Sequence, residues 1–113
     1  VPELLSSALK AYAISTLANF LVTVSFAYDE KKKKYLPDIA SGKKLAAFCI
    51  TEAEAGSDAG SIKTTAKKDG DHYIINGTKQ WITNGGEAEV YTIVAITNKA
   101  KGARGASAFI VDK

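Results

Sequence analysis

Two short stretches hold most of the side chains that could do chemistry. The first is Thr51-Glu52-Ala53-Glu54-Ala55-Gly56-Ser57-Asp58, at the end of an apolar run. Gly56 lets the backbone approach a ligand closely, and Gly60 adds freedom nearby. Adjacent N–H groups around Gly56, Ser57 and Asp58 can form a concave anion site. The hydroxyls of Thr51 and Ser57 can donate to a carbonyl or a phosphate. No Gly-Lys-Ser/Thr closes this loop and it lacks the Rossmann fingerprint, so a P-loop is excluded. On composition alone it also reads as a plain turn. The second stretch is Trp81-Ile82-Thr83-Asn84-Gly85, thirty positions after Thr51. As a strand over residues 79–83, it would send Trp81 and Thr83 to one face. A lone Trp in a strand ordinarily packs into the core, because it buries so much area. A π-surface beside a hydroxyl also makes a wall for a planar heteroaromatic ligand.

The rest of the inventory narrows the chemistry. One Cys (Cys49) excludes an internal disulfide and any multi-Cys zinc site, and one His (His72) excludes multi-His metal sites. Cys49 lies mid-strand and reads as a small buried hydrophobe. His72 stands beside a turn and is expected to face solvent. Arg104 lies in a loop; solvent is the expected surrounding, with a ligand phosphate or another subunit as the alternative. The formal charge is +3, and all of the excess lies in residues 1–44, with seven Lys against four acids. Residues 45–113 balance eight bases with eight acids. The run Lys31-Lys32-Lys33-Lys34 lacks interleaved Arg and aromatics, so it reads as a solvated helix face rather than a nucleic-acid contact.

The elements that must position these residues follow from patterning. The chain has 113 residues, 46% hydrophobic and 24% charged, which is ordinary globular composition. Leu5, Leu9, Ala13, Leu17, Phe20 and Val24 recur near the helical period, so residues 4–26 read as a helix. Its uncharged stretch is interrupted by Ser15, Thr16, Asn19, Thr23 and Ser25, which favours burial in a larger protein over a membrane span. Asp29 can cap a second helix with Tyr35, Leu36 and Ile39 facing inward, ended by Ser41-Gly42. Strands are expected at residues 45–50, 62–68, 72–76, 79–83, 90–97 and 106–111. Asp69-Gly70-Asp71 marks a hairpin turn, and Asn76-Gly77 a second turn. Short turns between successive strands imply an antiparallel meander, hence a barrel or sandwich. The expected class is therefore α+β: helices in residues 1–44, then a β-domain over residues 45–113. The chain starts at Val1 and contains no Met, which reads as a piece of a longer protein whose targeting peptide, if any, lies upstream.

Taken together, several stretches resemble one family. They are Tyr35-Leu36-Pro37, Ala40-Ser41-Gly42, Ala47-Phe48-Cys49-Ile50-Thr51-Glu52, Gly56-Ser57-Asp58, the run from Ile74 through Asn76-Gly77-Thr78-Lys79-Gln80 to Trp81-Ile82-Thr83-Asn84-Gly85, and Ala108-Phe109-Ile110-Val111. The chain resembles the acyl-CoA dehydrogenase family from about Phe26 to Lys113, as the end of the helical N-terminal domain plus most of the middle β-domain. Residues 1–25 are similar only in helical character. Ala53 stands where that family commonly has Pro, and Ala27 and Lys31 replace a common Gly and Gln.

The resemblance implies FAD as cofactor and an acyl-CoA thioester as substrate. It implies α-proton abstraction with β-hydride transfer to flavin N5, giving a trans-2-enoyl-CoA, and an electron-transfer flavoprotein as acceptor. By resemblance, Phe48, Ile50 and Thr51 face the flavin ring, Gly56 and Ser57 lie near the pyrophosphate, and Ser57 also meets the entering acyl-CoA. Trp81 packs on the flavin and Thr83 hydrogen-bonds near N5, where a donor stabilises charge that grows on reduction. The family's general base is a Glu in a C-terminal helical bundle, so no catalytic residue is expected in this chain and no metal is implied. Glu52 is expected to anchor its loop, and Glu54, Glu87 and Glu89 have no expected role as base. The fragment alone is expected to bind FAD poorly and to be inactive. The resemblance further implies a homotetramer or dimer, in the bacterial cytoplasm or the mitochondrial matrix, with no nucleic acid and no membrane span. The alternatives are an acyl-CoA oxidase or flavin monooxygenase of the same fold, or a non-catalytic β-barrel binding module.

Overall fold

A computed structural model describes residues 29–113. The expected helix over residues 4–26 lies outside the described residues. Helix α1 spans Asp29–Ala40, with Asp29 and Glu30 in its first turn, where acidic side chains favour the helix dipole. Pro37 lies in its last turn and has no N–H to donate back to Lys33, and the helix ends as Ser41 N–H and Gly42 N–H donate back to Pro37 and Ile39 carbonyls. Tyr35 and Ile39 are buried, as their spacing requires. No helix among the described residues is long and apolar enough to cross a membrane.

The remainder is a five-stranded sheet: β1 (Ala46–Cys49), β2 (Thr65–Asp69), β3 (His72–Asn76), β4 (Val90–Ile96) and β5 (Ala106–Asp112). The β2–β3 hairpin forms where Asp69-Gly70-Asp71 predicts it, with Asp69 paired to His72 and Gly70 at φ 64. A positive φ there suits a two-residue turn and disfavours most side chains. Strand β5 returns antiparallel along the whole of β4, from Val90–Asp112 to Ile96–Ala106.

Two findings depart from the sequence-based expectation. The strands are not a simple meander: β1 pairs with β4 in parallel, Ala46 opposite Val90 through Cys49 opposite Ile93, and β2 joins β4 in parallel at Thr65 and Ile96. The hairpin thus falls between β1 and β4 in sequence but beyond β4 in the sheet, whose order is β1-β4-β2-β3. Residues 79–83 are not a strand; the chain runs extended after Asn76 and then enters a turn at Thr83. Their Ile-Thr content is β-like, but Lys79 and Gln80 are held by single hydrogen bonds rather than by a ladder.

Two small cores hold the sheet. On one face, Ala46 and Val90 pack with Tyr35 and Ile39 of α1, and Ile110 closes over them. The Tyr35 hydroxyl also donates to Asp112 on β5 at 3.1 Å. On the other face, Ala47, Cys49 and Ala88 pack with Leu45, Ile82, Tyr91 and Ile93. Period-two alternation along β1 therefore divides its side chains between the helix and the segment that contains Ile82.

Candidate functional site

The C-terminal end of β1 runs directly into the first informative loop. Glu52 and Ala55 exchange backbone hydrogen bonds at 3.1 Å in both directions, closing a tight turn that puts Gly56 and Ser57 on an exposed arm. The second informative stretch comes back alongside. Gln80 N–H donates to the Thr51 carbonyl at 2.8 Å, so Thr51 and the residues flanking Trp81 are neighbours in space.

Trp81 is 83% exposed and adopts φ 59, in the left-handed region that bulky residues rarely enter. Although these residues form no strand, Trp81 and Thr83 lie on the same exposed side, as alternation predicts. Ile82 turns inward onto the Ala47–Cys49–Ala88 cluster while Trp81 and Thr83 remain outside. Asn84, also left-handed at φ 62, shapes the turn: its carbonyl accepts from Glu87 and Ala88 N–H. Its side-chain amide reaches the Ala46 carbonyl at 3.4 Å. Asn tolerates this backbone region better than most residues. Tyr91 hydroxyl donates to the Gly85 carbonyl at 2.9 Å and fixes the far side.

Underneath this exposed surface lies a buried charge. Glu52 is 8% exposed and its carboxylate accepts from Lys63 N–H at 2.8 Å, from Thr64 N–H, from the Thr64 hydroxyl at 2.8 Å and from Lys79 Nζ at 2.8 Å. Burial pushes its pKa up, but the Lys79 ammonium and the Lys63 and Thr64 donors outweigh burial and hold it down at about 2. Lys79 is itself largely buried and also donates to the Ile50 carbonyl at 3.0 Å. The expectation that Glu52 anchors its loop meets a specific geometry here. Such a carboxylate, ionised and saturated with donors, has little basicity to offer.

The partners of Glu52 are what reading the sequence missed. A signal exists, since Lys79 is the single charged side chain between Ile74 and Gly86. A lone cation in an uncharged stretch calls for a counter-charge. The other carboxylates are surface groups: Glu54 pairs with Lys63, and Glu89 accepts from Leu45 N–H at 2.7 Å. Cys49 is buried as expected, and burial raises its thiol pKa while the Lys79 charge opposes the rise. His72 is exposed between Asp69 and Asp71. Arg104 is exposed within a 3-10 segment spanning Lys99–Gly105. Among the described residues no group of His, Cys, Asp or Glu could hold a metal.

The donor set suits a planar, hydrogen-bonding ring. The Trp81 indole offers an open face, one residue on from the Gln80 amide that binds the Thr51 carbonyl. The hydroxyls of Thr51, Ser57 and Thr83 have no hydrogen-bond partner among the described residues. Phe48 and Ile50 are half-buried at the end of β1, on the approach to Thr51. A depression of about 380 Å³ lined by Gly60, Ile62, Lys63, Lys99 and others contains none of these residues.

Comparison with known proteins decides the family. The family model described as "Acyl-CoA dehydrogenase, middle domain" matches residues 47–113. The chain belongs to the acyl-CoA dehydrogenase family. The mitochondrial isobutyryl-CoA dehydrogenase of Dictyostelium discoideum is 49% identical over 85 residues, covering 75% of this chain and 20% of that protein. A solved glutaryl-coenzyme A dehydrogenase in complex with glutaryl-CoA superposes with a TM-score of 0.86 at 39% identity, covering 95% of this chain and 27% of that one. The FAD complex of PigA superposes with a TM-score of 0.82 at 39% identity, covering 88% of this chain and 26% of that one. The chain thus spans only about a fifth of the length of the first of these relatives. The α+β architecture expected from the sequence is that of this acyl-CoA dehydrogenase family.

Proposed function

We propose that this chain forms the flavin-facing wall of an FAD-dependent acyl-CoA dehydrogenase that converts an acyl-CoA thioester to its trans-2-enoyl-CoA. The observation that carries the reading is Trp81: a bulky aromatic held 83% exposed, in a strained backbone conformation, next in sequence to Gln80, whose N–H donates to the Thr51 carbonyl. Trp81 is no core residue of the described chain, and its open face is free to take a ligand. FAD, when bound, supplies the acceptor for the substrate's β-hydride.

The chain's own residues then bind and orient. Trp81 covers one part of the ring. The Thr51 and Thr83 hydroxyls donate to its polar edge, where a donor favours the more electron-rich state. Phe48 and Ile50 line the approach along β1. Gly56 and Ser57 take the pyrophosphate, with Ser57 also meeting the acyl-CoA. No residue of this chain takes the α-proton; that base comes from the C-terminal helical region of the full-length protein. Helix α1 closes the helical domain of residues 1–44, and residues 45–113 form the middle domain. An electron-transfer flavoprotein receives the electrons, and the protein works as a tetramer or dimer in the cytoplasm or mitochondrial matrix. The fragment by itself is inactive.

Product analysis tests this directly. The full-length protein, incubated without oxygen with an acyl-CoA and an artificial electron acceptor, is expected to form the trans-2-enoyl-CoA. Formation of hydrogen peroxide in air at a rate matching product would instead assign an oxidase, and absence of enoyl product across short, long and branched thioesters would overturn the reading.

A further inference from the structure

Trp81 occupies a costly conformation, and the structure shows what holds it. A non-glycine residue in the left-handed region is strained and persists there only when its surroundings over-determine it. On its N-terminal side, Lys79 is fixed by Glu52 at 2.8 Å and by the Ile50 carbonyl at 3.0 Å. Gln80 is fixed by the Thr51 carbonyl at 2.8 Å. On its C-terminal side, Ile82 is buried against Ala47, Cys49 and Ala88. Lys79 and Ile82 are thus two pins, and the backbone between them must reverse at Trp81. Glu52 is in turn fixed from behind by Lys63 and Thr64.

We infer that Glu52 and Lys79 are positioning residues, a buried ion pair whose function is to lock the exposed Trp81 indole in the orientation in which it meets the ring. This inference rests on the proposed function only for the identity of that ring. Neither side chain touches the ring itself. A buried pair is weak support for stability as such, since well-packed apolar residues often replace one without loss. What an apolar pair could not do is bind the Ile50 carbonyl, and so couple the end of β1 to the Trp81 segment.

The test uses the full-length protein grown with 5-fluorotryptophan, the Trp81 resonance being assigned by its disappearance in Trp81→Phe. Glu52→Gln keeps an acceptor for Lys63 N–H but discharges the pair; Lys79→Met keeps the stem and removes the ammonium; Lys79→Arg keeps the charge. Both Glu52→Gln and Lys79→Met are expected to shift or broaden the Trp81 resonance. Amides of β4 and β5 stay protected from exchange, and Lys79→Arg restores the wild-type resonance. With flavin and substrate present, kcat falls in the same two variants while KM for acyl-CoA changes less than twofold. An unmoved Trp81 resonance would overturn the inference. So would a resonance that moves only together with lost protection across β4 and β5, because the pair would then be merely structural. If the protein takes up no flavin, the proposed function fails, while the resonance in the flavin-free protein still decides the role of the pair.

Discussion

Lys79 Nζ lies 2.8 Å from the Glu52 carboxylate, and both side chains are largely withdrawn from solvent. They come from segments twenty-seven positions apart that are not paired in the sheet. Through this contact the loop after β1 and the segment bearing Trp81 become one structural unit. Removing either partner leaves the other as an uncompensated buried charge, which costs about 3–5 kcal/mol. Glu52→Ala in the full-length protein is expected to destabilise this region by that order. Native-state hydrogen exchange at the Lys63 and Thr64 amides, both donors to Glu52, reads the effect.

Acid should act through the same group. The Glu52 pKa lies at about 2 in the folded protein against an ordinary 4.5, so its folded value is depressed. A depressed carboxylate contributes stability that is fully present above the ordinary value and disappears as pH falls through the folded one. Protection of the Lys63 and Thr64 amides is therefore expected to decline between about pH 4.5 and about pH 2. Glu52→Gln should remove this dependence; an unchanged acid profile in that variant would show that another group governs it.

Gly77 and Gly56 should respond oppositely to substitution. Gly77 has φ 156, and a Cβ there would lie 2.2 Å from the Thr64 hydroxyl and 2.7 Å from its Cα. Gly77→Ala must displace the residue that donates to Glu52, at a cost of about 1–3 kcal/mol for overpacking. A Cβ at Gly56 meets nothing within 4 Å. Gly56→Val is expected to leave thermal stability of the flavin-free protein within about 0.5 kcal/mol, as for a surface change. If the loop lies against the pyrophosphate, the same variant should weaken FAD binding at least tenfold in a spectral titration. Unchanged affinity would remove Gly56 from the site.

Trp81→Ala makes a parallel contrast. Because the indole is 83% exposed, its removal takes little from the core, and Ala keeps the Cβ and with it the left-handed strain at φ 59. The flavin-free protein is expected to be as stable as wild type in thermal unfolding. Flavin retention through gel filtration is expected to fall. A large loss of stability without flavin would mean that the indole packs on this protein's own chain.

These contrasts explain what the sequence could and could not reveal. The β2–β3 hairpin was legible because Asp69-Gly70-Asp71 encodes its turn locally, and the burial of Tyr35 and Ile39 followed from helical spacing. The parallel pairing of β1 with β4 was not, because no local signal marks a partner forty-four positions away. Residues 79–83 read as a strand because Ile82 and Thr83 are β-branched; nothing local reveals that Lys79 is held from outside the segment or that Trp81 reverses the chain. Thr51, Trp81 and Thr83 stood out through residue type. The ion pair beneath them emerged only when the two segments were brought together.

The central claim is that Trp81 and Thr51 belong to a flavin site serving acyl-CoA. Its most direct test is the visible spectrum of the full-length protein, followed by addition of a panel of acyl-CoAs without oxygen. A bound-flavin band is expected that one class of acyl chain bleaches and that Trp81→Ala perturbs. A colourless protein that cannot be reconstituted with FAD, or a flavin band that no acyl-CoA bleaches, would contradict it.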